Sequence, residues 1–197
     1  MPNDGMGELD GRDGERLDGP TIALHWLALL LLGLLFATAW ARGLSADSAS
    51  AGLLLALHRA GGLLLWALTV VRIVWRLTRG ATLSPGASLP RVQRLAARGT
   101  QYALYVLLIA QPVLGLAHSL FRGKPFDLLV ATVPALVARD AELSHRLHEL
   151  HEQAAWLLLA LVGLHAAAAL FHRFVLRDRV LQSMLPWRGR SPLSLGE

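Results

Sequence analysis

Residues 147–174 read LHELHEQAAWLLLALVGLHAAAALFHRF. Positions 153–172 of this stretch carry no charged side chain, and about 20 such residues in helical form cross about 30 Å of hydrocarbon. The stretch also holds His151 and His165, fourteen residues apart. On a helix that spacing separates them by about 21 Å in height and about 40° in direction. They leave one face of one helix at two depths, and a polar residue kept in such a segment usually carries a function.

Working outward, residues 21–41 and 99–121 are equally free of charge. A fourth run, 50–77, is interrupted by Arg59 and Arg72, which can lie near the membrane surfaces and snorkel. Composition agrees: 54% of the 197 residues are hydrophobic and 17% charged, and the mean hydropathy is +0.44, too apolar for an ordinary soluble domain. The expected fold is all-α, an integral membrane four-helix bundle spanning 21–187, with tails at 1–20 and 188–197. The first tail is polar and rich in Gly and Asp, unlike the basic start and short apolar core of a cleavable signal. Trp26 and Trp40 are placed to anchor the first span at the two interfaces, and Pro112 to kink the third. The connection between the third and fourth spans includes an apolar stretch, 126–136, too short to cross; it is expected to be re-entrant or interfacial. The fourth helical pattern begins near Ala141 and extends past Phe174.

The net charge of +5 does not point to nucleic acid, because the basic residues flank hydrophobic spans. Arg72, Arg76, Arg79, Arg91, Arg94 and Arg98 lie between spans two and three, and Arg173, Arg177, Arg179, Arg188 and Arg190 follow span four. The positive-inside rule puts both regions, and with them both termini, in the cytoplasm. On the other side Arg42, Arg59, Arg122, Lys124, Arg139 and Arg146 are diluted by five carboxylates. With no cysteine in the chain, a disulfide, a thiolate iron–sulfur cluster and a covalently attached c-type haem are all excluded.

There are eight histidines. Helix direction sets the depth of those within the spans. His25 lies near the inner start of span one, His58 in the outer half of span two, His151 near the outer end of span four and His165 near its inner end. Two pairs follow at matched depths, His25 with His165 and His58 with His151, the arrangement that two bis-histidine b-type haems need. Neutral imidazole ligates iron without adding charge to the hydrocarbon. Any one of these histidines is equally well read as an interhelical hydrogen-bonder. His145, His148 and His151 also invite a metal-site reading, although they fan over about 120° of helix and HELH is one residue short of a zinc-protease motif. His118 and His172 fall at helix ends, in solvated or supporting positions. Gly62 and Gly163 suit close approach of a planar porphyrin as well as ordinary helix packing. Arg59, Arg72 and Arg146 are candidates to pair with haem propionates, or to anchor helices to lipid phosphates.

The stretches IALHW, LHRAGGLLLWALTVVRIVWRL, ALYVLLIAQPVLG and LHELHEQAAWLLLALVGLHAAAALFHRFVLRDRVLQSMLPW together resemble the bacterial cytochrome b561 family, small four-helix dihaem quinone oxidoreductases. The resemblance covers nearly all of 21–187, and the family's haem-ligand positions fall on His25, His58, His151 and His165. Gln101 stands where many relatives have a histidine, Ser183 where an arginine is usual, and His172-Arg173 where two histidines are common. The resemblance implies two haem b groups and electron exchange with ubiquinone in a bacterial inner membrane. One activity among relatives is superoxide oxidation at the periplasmic face, for which Arg59, Arg122, Lys124, Arg139 and Arg146 offer a basic funnel. The alternative is a non-enzymatic cytochrome b subunit that serves a dehydrogenase or a periplasmic redox protein. A haem-free transporter or metal-binding scaffold is the third reading.

Overall fold

The computed structural model describes residues 17–79, 91–177 and 180–185. Each apolar run forms one long helix: α1 (Gly19–Leu44), α2 (Ser48–Thr78), α3 (Arg91–Phe121) and α4 (Ala141–Phe171). All four are long and apolar enough to cross a membrane. Their starts follow from local chemistry. Pro20 sits in the first turn of α1, where its missing N–H costs nothing. Asp47 caps α2 by accepting from the Ser50 amide at 2.7 Å, and Asp140 caps α4 by accepting from the Leu143 amide at 2.9 Å. Helix α3 starts eight residues before the expected 99, because Arg91, Arg94 and Arg98 extend the helix beyond its apolar part. Helix α4 runs on through a π-helical turn, His172–Leu176, which stops at Arg177 in the left-handed region (φ 54°). A last short helix, α5 (Val180–Ser183), follows.

The chain runs up and down. Helix α1 packs along α2, and α3 along α4, while α2 and α3 join the two hairpins less extensively. Helix α4 makes no comparable contact with α1 or α2 among the described residues. The bundle therefore has a terminal end, where α1 begins and α2 and α4 finish, and a hairpin end, where the α1–α2 turn and the α3–α4 connection lie. The terminal end is tied by two tryptophans. The Trp75 indole donates to Asp18 at 2.6 Å, and the Trp26 indole donates to the Met184 carbonyl at 2.7 Å, drawing the segment after α5 onto α1. Trp26 is thus more than the interfacial anchor expected of it.

At the hairpin end the apolar stretch expected to be re-entrant or interfacial contains a small antiparallel ladder, β1 (Phe126–Asp127) with β2 (Thr132–Val133). Phe126 is buried, whereas Val130 at the tip is 96% exposed. Gly123 closes the base of this connection. Its φ is +63°, and a Cβ there would stand 2.6 Å from that of Arg139, so only glycine fits.

Burial is inverted relative to a soluble bundle. Leucines and valines line the outside of all four helices, while Thr69, Gln111, Ser119 and Ser144 are buried. That is the pattern of helices facing lipid, with polar groups satisfied between them. The Thr69 hydroxyl donates to the Leu65 carbonyl at 2.8 Å and that of Ser119 to the Gly115 carbonyl at 3.0 Å.

Candidate haem-binding sites

Four histidines meet as two pairs. His58 of α2 faces His151 of α4 with ring centroids 6.1 Å apart and planes at 78°. His25 of α1 faces His165 of α4 with centroids 6.3 Å apart and planes at 73°. The first pair is at the hairpin end and the second at the terminal end, so both α4 members lie on one helix, as the sequence spacing requires. Two metal–nitrogen bonds of about 2 Å each, plus about 1.1 Å from each nitrogen to its ring centre, put two imidazoles on one iron at a centroid distance of about 6 Å. Both pairs have that separation, and the residues present fit a haem iron between them.

The hairpin-end pair is braced by main chain. His58 Nδ1 donates to the Leu35 carbonyl at 3.0 Å, a carbonyl that also receives the Thr38 hydroxyl at 2.9 Å. His151 Nδ1 donates to the Gln111 carbonyl at 3.0 Å. A carbonyl can only accept, so Nδ1 carries the proton in both rings and the Nε2 lone pair is left for a metal. The Gln111 side-chain amide returns a bond to the His151 carbonyl at 3.0 Å. Gly115, one turn along α3, leaves room for the ring: a Cβ there would stand 3.2 Å from its Cε1. At the terminal end, by contrast, His25 Nδ1 is buried with no hydrogen-bond partner among the described residues.

An arginine accompanies each pair. Arg59 acts electrostatically on His58, donates to the Ser119 hydroxyl at 3.2 Å and stacks over the Phe126 ring at 5.0 Å. Arg72 acts on both His25 and His165 and lies 5.5 Å from the Tyr105 ring centre. Either is placed to meet a carboxylate near its pair. Arg146 is turned outward and paired with Glu142. At Gly62 and Gly163 an added Cβ would meet no atom within 4 Å, which suits a flat ligand beside either helix.

The other histidines disperse. His145 pairs with Glu149 at 3.2 Å, and His148 stacks on His118 with centroids 4.9 Å apart. His118 is half-buried rather than solvated, its Nδ1 donating to the Ser144 carbonyl at 2.8 Å. The metal reading of His145, His148 and His151 thus gives way: the three go to different partners, and no cluster of three such ligands gathers among the described residues.

A cleft of about 310 Å³ opens at the hairpin end, lined by His118, Arg122, Lys124, Arg139, Ser144 and His145. No carboxylate lines it among the described residues. The five carboxylates counted on that side are engaged elsewhere: Asp47 with the α2 N-terminus, Asp127 with Thr132, Asp140 with the α4 N-terminus, Glu142 with Arg146 and Glu149 with His145. Of the five cations expected to form a funnel, Arg122, Lys124 and Arg139 line this cleft, while Arg59 and Arg146 turn to the partners above. Sequence reading missed Gln111, Gly115, Thr38 and Ser119. Gln111 could have been noticed as the strongest polar interruption of an apolar run, LLIAQPVLG.

Comparison with known proteins agrees with this architecture. The model of the prokaryotic cytochrome b561 family matches residues 16–187. Cytochrome b561 homolog 1 of Escherichia coli (strain K12) is 30% identical over 176 residues, 88% of this chain and 98% of that protein. Cytochrome b561 homolog 2 of the same strain is 32% identical, with 87% and 92% covered. The probable superoxide oxidase CybB of Yersinia pestis is 29% identical, with 84% and 93% covered. Four membrane-spanning helices and a family match along most of its length make this chain a multi-pass inner-membrane member of the prokaryotic cytochrome b561 family, which implies b-type haem and membrane electron transfer.

Proposed function

We propose that the protein carries electrons between two b-type haems, one held by His25 and His165 and the other by His58 and His151, and exchanges them with ubiquinone. The observation that carries this reading is the pair of facing imidazoles at each end of α4, at 6.1 and 6.3 Å. Haem supplies the one-electron chemistry when bound. The chain supplies the rest. Helix α4 sets the two sites about 21 Å apart along its axis, a large part of the hydrocarbon thickness. Main-chain carbonyls keep His58 and His151 in the tautomer that presents Nε2. Arg59 and Arg72 offer a charge to propionates at either end, and the lipid-facing leucines keep the sites dry.

The distribution of arginine favours a cytoplasmic terminal end and a periplasmic hairpin end. The basic cleft would then open to the periplasm and attract a small anion. Superoxide is the donor best suited to it: each gives one electron and leaves as dioxygen. Two such electrons and two protons convert ubiquinone to ubiquinol.

Pyridine haemochrome analysis of the purified chain should give two haems per polypeptide. Removing either member of a pair, as in His58→Ala and His151→Ala, should leave the same residual spectrum, and His25→Ala and His165→Ala should leave the complementary one. Four unrelated spectra would defeat the pairing. Steady-state ubiquinone reduction driven by superoxide tests the donor. A chain that holds two haems but shows no such turnover acts as an electron-transfer subunit for a dehydrogenase or a periplasmic redox protein.

A further inference from the structure

We infer that Gln111 and Gly115 are positioning residues for the His151 imidazole, and that their brace lowers the redox potential of the haem at the hairpin end. The inference rests on the bis-histidine reading above and goes beyond it to two residues of α3. An imidazole that donates Nδ1–H to a strong acceptor gains electron density at Nε2 and favours the ferric state of a bound iron. A helix carbonyl is normally occupied by the amide four residues later and screened by the side chain there. For the Gln111 carbonyl that later residue is Gly115. With no side chain at 115, the His151 ring comes close enough for Nδ1 to donate at 3.0 Å. A Cβ would stand 3.2 Å from Cε1 and 3.3 Å from Nδ1 of that ring, so even alanine must push it away.

Gln111 adds the reciprocal bond. Its Nε2 donates to the His151 carbonyl at 3.0 Å, which fixes the main chain of α4 at the residue whose ring α3 also holds. The side chain is only 8% exposed, and its Oε1 is buried without a partner. A buried, half-satisfied amide is a poor choice for stability alone and makes sense as a clamp on its neighbour. Among the described residues His25 Nδ1, at the terminal end, finds no such acceptor.

The test is a redox titration of the purified full chain in detergent, followed in the haem α-band, with haemochrome measured on every variant. His151→Met identifies the hairpin-end component, because exchange of histidine for thioether raises the potential of the haem it ligates. Gly115→Ala should shift that component upward and leave the other unmoved, with two haems retained. Gln111→Leu should give a smaller upward shift of the same component. A merely structural role predicts loss of haem or broadening with the midpoint unchanged. If Gly115→Ala loses haem, Gln111→Leu, which adds no bulk against the ring, decides by the same criterion. Two haems with an unmoved hairpin-end midpoint, or a shift in the other component, overturn the inference alone. A wild-type ratio near one haem per chain overturns the dihaem reading, and this inference with it.

Discussion

The two ends of the bundle present the same pair of side chains in different states of restraint. At the hairpin end both imidazoles are tied to carbonyls of neighbouring helices, His58 to Leu35 and His151 to Gln111. At the terminal end His25 keeps a buried nitrogen with no partner among the described residues. The surroundings differ as well. The hairpin end carries a basic cleft, whereas the terminal end is closed by indole hydrogen bonds from Trp75 to Asp18 and from Trp26 to Met184. Identical side chains can thus be set in different surroundings by what their Nδ1 atoms touch, and by the kind of surface above them.

Charge reversal in the cleft should separate the ends most sharply. The double variant Lys124→Glu, Arg139→Glu should lower superoxide-driven ubiquinone reduction by about tenfold or more at low salt, the effect shrinking as ionic strength rises. Haem content should be unchanged. Equal rates in both proteins at low salt would remove the cleft from the donor path.

The next effect separates the two arginines. Arg59→Ala removes a hydrogen bond to Ser119 and a cation–π contact with Phe126, together about 1–2 kcal/mol. It should weaken haem retention at the hairpin end during detergent washing, and Arg72→Ala should do so at the terminal end. Both variants releasing the same haem would break the comparison.

The smallest effect is expected at Asp18. Its carboxyl lies below the ordinary value of 3.8, chiefly through the Thr21 hydroxyl and also through the Trp75 indole. A depressed carboxyl stabilises the fold above its unfolded pKa, and loses that contribution as pH falls through the lower, folded value. Asp18→Asn should therefore lower Tm by a few degrees at most near neutral pH. The difference from wild type should begin to shrink as pH falls toward 3.8 and vanish below the lower, folded value, and a difference that grows on acidification would contradict the assignment.

Much of this was legible beforehand. Three uncharged runs and a fourth interrupted by arginines gave the four helices, and chain direction with the fourteen-residue interval gave both histidine pairs, since depth follows from rise per residue. Main-chain acceptors were not legible: no side-chain pattern says that the Leu35 or Gln111 carbonyl will be turned to a ring. Gly115 was hidden for the same reason, because its role lies in the absence of a side chain against a residue on another helix. The form of the 126–136 stretch was not legible either. Expected only as re-entrant or interfacial, it folds as a short ladder in which Phe126 is buried under Arg59, while Leu129, with φ 67°, makes the turn that exposes Val130.

Helix α4 also acts as a ruler with coarse graduations. Each residue turns the chain by about 100° and lifts it by about 1.5 Å, so one residue inserted between His151 and His165 would swing one ligand away from its partner. Only steps of three or four residues restore the facing, and each changes the separation by about 4.5–6 Å. On the proposed wiring, the electron's path length is quantised. Substitutions around either pair can tune its potential by degrees, but the hop between them can change only by a whole turn of helix.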